Sequence, residues 1–157
     1  MTSSHKHWQT APANYEIDRK TVHIWRSCFK VGLLSDSSFL NSLSNTEVER
    51  ARRFVRRPDR DRYMFAHAIL RYLLGSYFGS RPEELDFATN EYGKPLIKAP
   101  GGNEIPFSLS HSQDMALVNV QRPLHNLPKN VISDLGLKLG SSWNGSGTGI
   151  SENHIIH

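Results

Sequence analysis

Three groups of residues in this sequence carry donors suited to an anion. The first is an arginine run: Arg50, Arg52, Arg53, Arg56, Arg57, Arg60 and Arg62. Guanidinium groups fork onto phosphate or carboxylate oxygens through paired hydrogen bonds. At helical spacing Arg50, Arg53 and Arg57 share one side, with Arg52 and Arg56 on another. Three roles are open to them: a solvated helix face, a nucleic-acid contact, or one or two arginines holding a ligand phosphate. Phe54, Tyr63 and Phe65 fall at core spacing rather than forming a platform for bases, which counts against nucleic acid.

The second group is Asn90-Glu91-Tyr92-Gly93-Lys94-Pro95, a turn with a permissive glycine and a point charge on Lys94. Taken alone it is a turn that happens to contain a lysine. The third is Phe107-Ser108-Leu109-Ser110-His111-Ser112. A serine and a histidine this close, without a G-x-S-x-G elbow, make a poor hydrolase pair. Their hydroxyls and imidazole suit hydrogen bonds to an anion instead. His5 and His7 have no third ligand near them in sequence, so no metal site and no catalytic residue is assigned.

These groups need elements to position them. Val22, Ile24 and Trp25 lie in a β-prone run from Thr21 to Phe29. A serine-rich loop is expected from Leu34 to Ser44. Ser44 with Glu47, or Thr46 with Glu49, opens a capping box, and apolar spacing predicts a helix over 46–57. Pro58 interrupts it, and Asp59 is expected to cap a longer helix with an apolar stripe of Phe65, Ile69, Leu73 and Tyr77. Gly79 is its expected stop, and Pro82 starts a further short turn. Short strands are expected at Phe87–Thr89 and Leu96–Ile97. Pro106–Ser112 alternates, with Phe107, Leu109 and His111 on one face, and Met115–Val120 reads as a strand. The fold class is therefore α+β, antiparallel strands packed on a long helix.

The sequence of 157 residues is long enough for one domain with a core. Its net charge of +4, from 19 basic and 15 acidic residues, favours anionic partners without choosing one. No stretch reaches the roughly 20 apolar residues of a membrane helix, so no membrane partner is expected. The polar start lacks a signal sequence, and the one cysteine, Cys28, fits a reducing, cytoplasmic setting. Three segments follow: a flexible leader over 1–20, a domain over 21–120, and a Gly/Ser/Asn-rich tail over 121–157 expected to be mostly disordered. Within that tail Leu135, Leu137 and Leu139 could form one strand.

Several motifs follow one another in order: Val22-His23-Ile24-Trp25, Arg50-Ala51-Arg52-Arg53-Phe54, Ala68-Ile69-Leu70-Arg71 and Leu85-Asp86-Phe87. Tyr92-Gly93-Lys94-Pro95, the Phe107–Ser112 run and Ala116-Leu117-Val118 complete the series. From about Val22 to Val120 this resembles the N-terminal half of Sfp-type phosphopantetheinyl transferases. The resemblance implies one half of a pseudo-two-fold α+β fold. It implies an enzyme that moves the phosphopantetheine arm of coenzyme A to a serine of an acyl or peptidyl carrier protein. It places Arg50 at the nucleotide end of coenzyme A. Thr89, Asn90, Tyr92, Gly93 and Lys94 fall near the adenine and 3′-phosphate, and Ser108, Ser110 and His111 on phosphate oxygens.

The family also carries Mg²⁺ on a Gly-Val/Ile-Asp-x-Glu motif and a later Trp-x-x-Lys-Glu helix. At the corresponding point this chain reads Gln121-Arg122-Pro123-Leu124-His125-Asn126. The expectation is therefore a tail that is out of frame or replaced, and a chain inactive by itself. An exposed half-interface prone to self-association is expected with it. Two alternatives stand beside it: a non-catalytic remnant binding coenzyme A or a carrier protein, and a basic nucleic-acid-binding protein.

Overall fold

The computed structural model describes residues 22–98, 104–121 and 133–143. The expected leader over 1–20 lies outside them. Six strands form one sheet: β1 (Val22–Cys28), β2 (Phe87–Thr89), β3 (Pro95–Lys98), β4 (Glu104–Ser112), β5 (Met115–Gln121) and β6 (Lys138–Trp143). Their order is β2-β3-β4-β5-β1-β6, and every pairing is antiparallel. β4 and β5 form a hairpin that puts His111 opposite Ala116 and Ser112 opposite Met115.

Three α-helices lie between β1 and β2: α1 (Ser37–Asn41), α2 (Asn45–Arg52) and α3 (Arg57–Phe78). The capping box at Ser44 and Glu47 is present, each side chain satisfying the other residue's backbone N–H. The helix it starts stops at Arg52 rather than at residue 57, and the chain is already extended at Arg56, which serves as N-cap of the next helix. Pro58 fits the first turn of that helix, α3, which begins at Arg57, and Asp59 lies inside the first turn. The serine-rich segment is also more ordered than expected: Asp36 caps α1 by accepting from the Ser38 N–H at 2.9 Å. Phe39 from α1 is buried and Tyr72 stacks on it, with ring centroids 5.6 Å apart.

The stripe Phe65, Ile69, Leu73 and Tyr77 lies fully in the core, as its spacing requires. It meets Trp25 of β1, Ile97 of β3, Ile105 and Phe107 of β4, and Val118 and Val120 of β5 in one cluster. On β1 the buried face consists of His23, Trp25 and Ser27. Two of these are polar, and Tyr77 serves both rings: Trp25 Nε1 donates to its hydroxyl at 2.8 Å, and His23 Nδ1 bonds it too. α3 ends at Gly79 in the left-handed conformation.

Within the tail, residues 133–143 are ordered, and the one strand there, β6, begins at Lys138, after Leu135 and Leu137. Gly136 N–H donates to Ser133 O at 3.0 Å, Leu135 and Leu137 enter the core, and β6 pairs with the outer edge of β1. Ser27 Oγ donates to Leu135 O at 3.0 Å, joining the segment to buried β1. Two leucines and an unpaired strand edge outweigh the low-complexity composition there. Among the described residues, no helix is long and apolar enough to cross a membrane.

Candidate functional site

An open cleft of about 980 Å³ lies between α2, the stretch of α3 from Tyr63 to Arg71, the residues leading into β2, and strands β3 and β4. Arg50 enters it from α2 and Arg53 from the cap that follows, Tyr63, His67 and Arg71 from α3, and Phe107, Leu109 and His111 from β4. The strand alternation read from sequence is what brings the β4 residues to one face. Ser108, Ser110 and Ser112 are exposed and stand on the opposite parity of the strand, outside the cleft lining.

The inner wall is a polar chain. Arg71 Nε donates to Glu47 Oε2 at 2.7 Å, and His67 Nδ1 bonds Glu47 Oε1 at 3.1 Å. Ser44 adds its backbone N–H to Glu47 Oε2 at 2.8 Å. Arg71 is itself buried, and its Nη1 donates to the carbonyls of Pro82 at 3.0 Å and Leu85 at 3.1 Å. Its guanidinium also covers the Phe87 ring at 4.7 Å. Burial alone would raise the Glu47 carboxyl. Hydrogen bonds from His67, the Ser44 backbone and Arg71, with the Arg71 charge, overcome that and hold it at about 2.

Tyr63 links this wall to Arg50. Its ring lies 4.1 Å from that of His67, and the Arg50 guanidinium sits 5.8 Å from its centroid. Phe54 also packs on Tyr63, at 5.2 Å, so these aromatics are core-like neighbours rather than free platforms. Burial pushes the Tyr63 phenol up, with Arg50 opposing it. At the far wall, burial lowers the His111 imidazole, and the nearby charge of His67 lowers it further.

Arg50 and His111 therefore meet at one cleft, although they come from different elements. The turn Thr89–Lys94 does not line it; Pro95, at its end, does. Asn90 builds that turn, its Oδ1 accepting from Tyr92 N–H at 3.0 Å and Lys94 N–H at 2.9 Å. Gly93 has φ 75°, which explains a glycine there. Tyr92 projects into solvent, 82% exposed. Glu47, His67 and Arg71 belong to none of the three anion-suited groups of the sequence, yet they form the inner wall of the cleft. A signal for them exists: His67 and Arg71 are a helical i,i+4 polar pair beside an apolar stripe, and such polar groups need a buried partner.

The architecture is a two-layer α+β fold whose helices and sheet enclose a cleft furnished with arginine and imidazole. The family described as 4′-phosphopantetheinyl transferase, N-terminal, matches residues 35–122, and the chain belongs to that family. It is 34% identical over 116 residues to the 4′-phosphopantetheinyl transferase HetI of Nostoc sp., covering 72% of this chain and 48% of that protein. It is 30% identical over 74 residues to the 4′-phosphopantetheinyl transferase Sfp of Bacillus subtilis, covering 47% of this chain and 32% of that protein. The chain thus spans about half the length of the first relative and about a third of the second.

Proposed function

We propose that this chain supplies the coenzyme-A-binding part of a 4′-phosphopantetheinyl transferase. In the proposed reaction a carrier-protein serine attacks the pyrophosphate of coenzyme A, takes the phosphopantetheine arm, and releases adenosine 3′,5′-bisphosphate. The observation that carries the reading is the joint presence of Arg50 and His111 on one cleft within the family-matched residues. Arg50 is suited to fork onto phosphate oxygens, and His111 to donate to them. Ser108 and Ser110, on the outer face of β4, and the Thr89–Lys94 turn beyond Pro95 are proposed as contacts for parts of the ligand that leave the cleft. In that role Thr89, Asn90, Tyr92, Gly93 and Lys94 offer backbone and ammonium donors.

The chemistry also calls for neutralising charge that develops on the pyrophosphate, which Mg²⁺ supplies when bound. Among the described residues no group of three or more His, Cys, Asp or Glu stands together, and Glu47 is engaged by Arg71, His67 and Ser44. Binding and transfer are separable: incubation with coenzyme A, Mg²⁺ and an apo carrier protein is read by intact-protein mass, and calorimetry reads binding. A phosphopantetheine mass gain on the carrier supports the full transferase. Coenzyme A binding without that gain supports a non-catalytic binding protein. Absence of both binding and mass gain overturns the reading.

A further inference from the structure

With its imidazoles neutral, the cleft is formally balanced: Arg50, Arg53 and Arg71 face Glu47, Glu49 and Asp86. Holding a polyanion there favours additional positive charge, and two imidazoles, His67 and His111, line the same space. Of these side-chain types, only imidazole ordinarily changes charge between about pH 5 and pH 8.

The surroundings of His67 fix what it can do. Its Nδ1 faces Glu47 Oε1 at 3.1 Å, and Glu47 is a carboxylate held well below its ordinary range. A carboxylate only accepts, so Nδ1 carries the hydrogen. Nε2 of the neutral ring is then a bare lone pair, and it can donate to a phosphate oxygen only after taking a proton. The ring cannot turn freely, because Tyr63 packs on it at 4.1 Å and Glu47 is anchored by Arg71 and Ser44. At 22% exposure it still opens onto the cleft.

We propose that His67, oriented by Glu47, is a second anion-contacting imidazole of this cleft, and that it takes up a proton when a phosphorylated ligand binds beside His111. The inference rests on the reading of the cleft as a coenzyme A site. It adds a residue and a proton linkage to that reading. His111 lines the same cleft and is near enough for a charge on His67 to lower it, so a phosphate bound beside both offsets that effect and favours protonation of both.

The test uses the whole chain and coenzyme A as the probe. Calorimetric titration near pH 7, in two buffers of different ionisation enthalpy, counts protons taken up on binding. The wild type is expected to take up protons and to bind more tightly at about pH 6 than at about pH 8.5. His67→Gln is expected to lower the proton count and to bind about tenfold more weakly at the acidic end only. His67→Arg supplies a permanent charge, so it is expected to bind tightly at both pH values while also lowering the proton count. This second variant guards against misfolding of the first. His67→Gln that binds with the wild-type proton count and pH profile overturns the proposal. Wild-type binding that does not vary with pH overturns it too, while leaving the site reading intact. A wild type that fails to bind coenzyme A overturns the site reading, and this inference falls with it.

Discussion

Glu47 Oε2 accepts from Arg71 Nε at 2.7 Å, and this contact, with His67 Nδ1 on Glu47 Oε1, ties α2 to α3. Both side chains are nearly excluded from water, with 11% and 4% exposure. Glu47→Ala leaves a buried guanidinium without its counter-charge, so a loss of about 3–5 kcal/mol is expected in denaturant unfolding. A loss below about 1 kcal/mol would show the pair to be dispensable. The folded carboxyl is depressed from 4.5 to about 2. Its contribution is thus fully present above pH 4.5 and is lost as pH falls through 2.

A second pH effect belongs to His23. Burial lowers its imidazole from 6.5 to about 4, so it stays neutral where the unfolded chain's histidine is charged. Stability from this group is present above pH 6.5 and declines as pH falls to about 4. The full decline is roughly 3 kcal/mol, since each tenfold change in proton affinity is worth about 1.4 kcal/mol. Unfolding curves at several pH values check this, and a His23→Phe variant with the same slope over that window would refute the assignment.

Gly75 sits where α3 meets the returning chain. A Cβ there would lie 2.7 Å from the Ser80 carbonyl oxygen, a backbone atom that cannot swing aside. Gly75→Ala is expected to cost about 1–3 kcal/mol despite alanine's better helix propensity. Gly32→Ala, with nothing within 4 Å of the added atom, serves as the neutral control. Equal melting shifts for the two would contradict the geometry.

The segment ending in β6 is expected to belong to the folded unit. Leu137 is buried, so Leu137→Ala should cost about 2–5 kcal/mol. Ser27→Ala removes the hydroxyl bonded to Leu135 O and should cost about 1 kcal/mol. Truncation before residue 133 that left the unfolding free energy unchanged would show that the segment adds nothing.

At the cleft, Arg50→Ala is expected to weaken coenzyme A binding about tenfold or more, the weight of a charge-assisted hydrogen bond. Arg56→Ala is the matched control, since Arg56 is exposed and outside the cleft lining. Parallel losses in both variants, abolished by salt, would point to diffuse electrostatics and the nucleic-acid alternative.

Much of the fold is legible in the sequence because its periodicities are strong. The α3 stripe, the alternation of β4 and the capping box at Ser44 each follow from local spacing. The early end of α2 does not, because the helical apolar pattern runs on through Phe54 and Val55 until Pro58 forbids it. The 82% exposed Tyr92 and the 99% exposed Val55 show the same limit from the other side: apolar type alone does not fix burial.

By itself, the sequence determined the α+β class and the family, and it showed which residues carry donors for an anion, since those depend on residue type and short-range order. Only the tertiary structure decided which of them share a space. Arg50 and His111 converge because α2 and β4 face each other across one cleft, while Ser108 and Ser110 point away and the Thr89–Lys94 turn lies beyond its edge. Tertiary packing also made a bonded wall of Glu47, His67 and Arg71, and drew Leu135 and Leu137 into the core. Those outcomes rest on long-range partners, and no local pattern encodes which distant group will satisfy a buried charge or cover a strand edge.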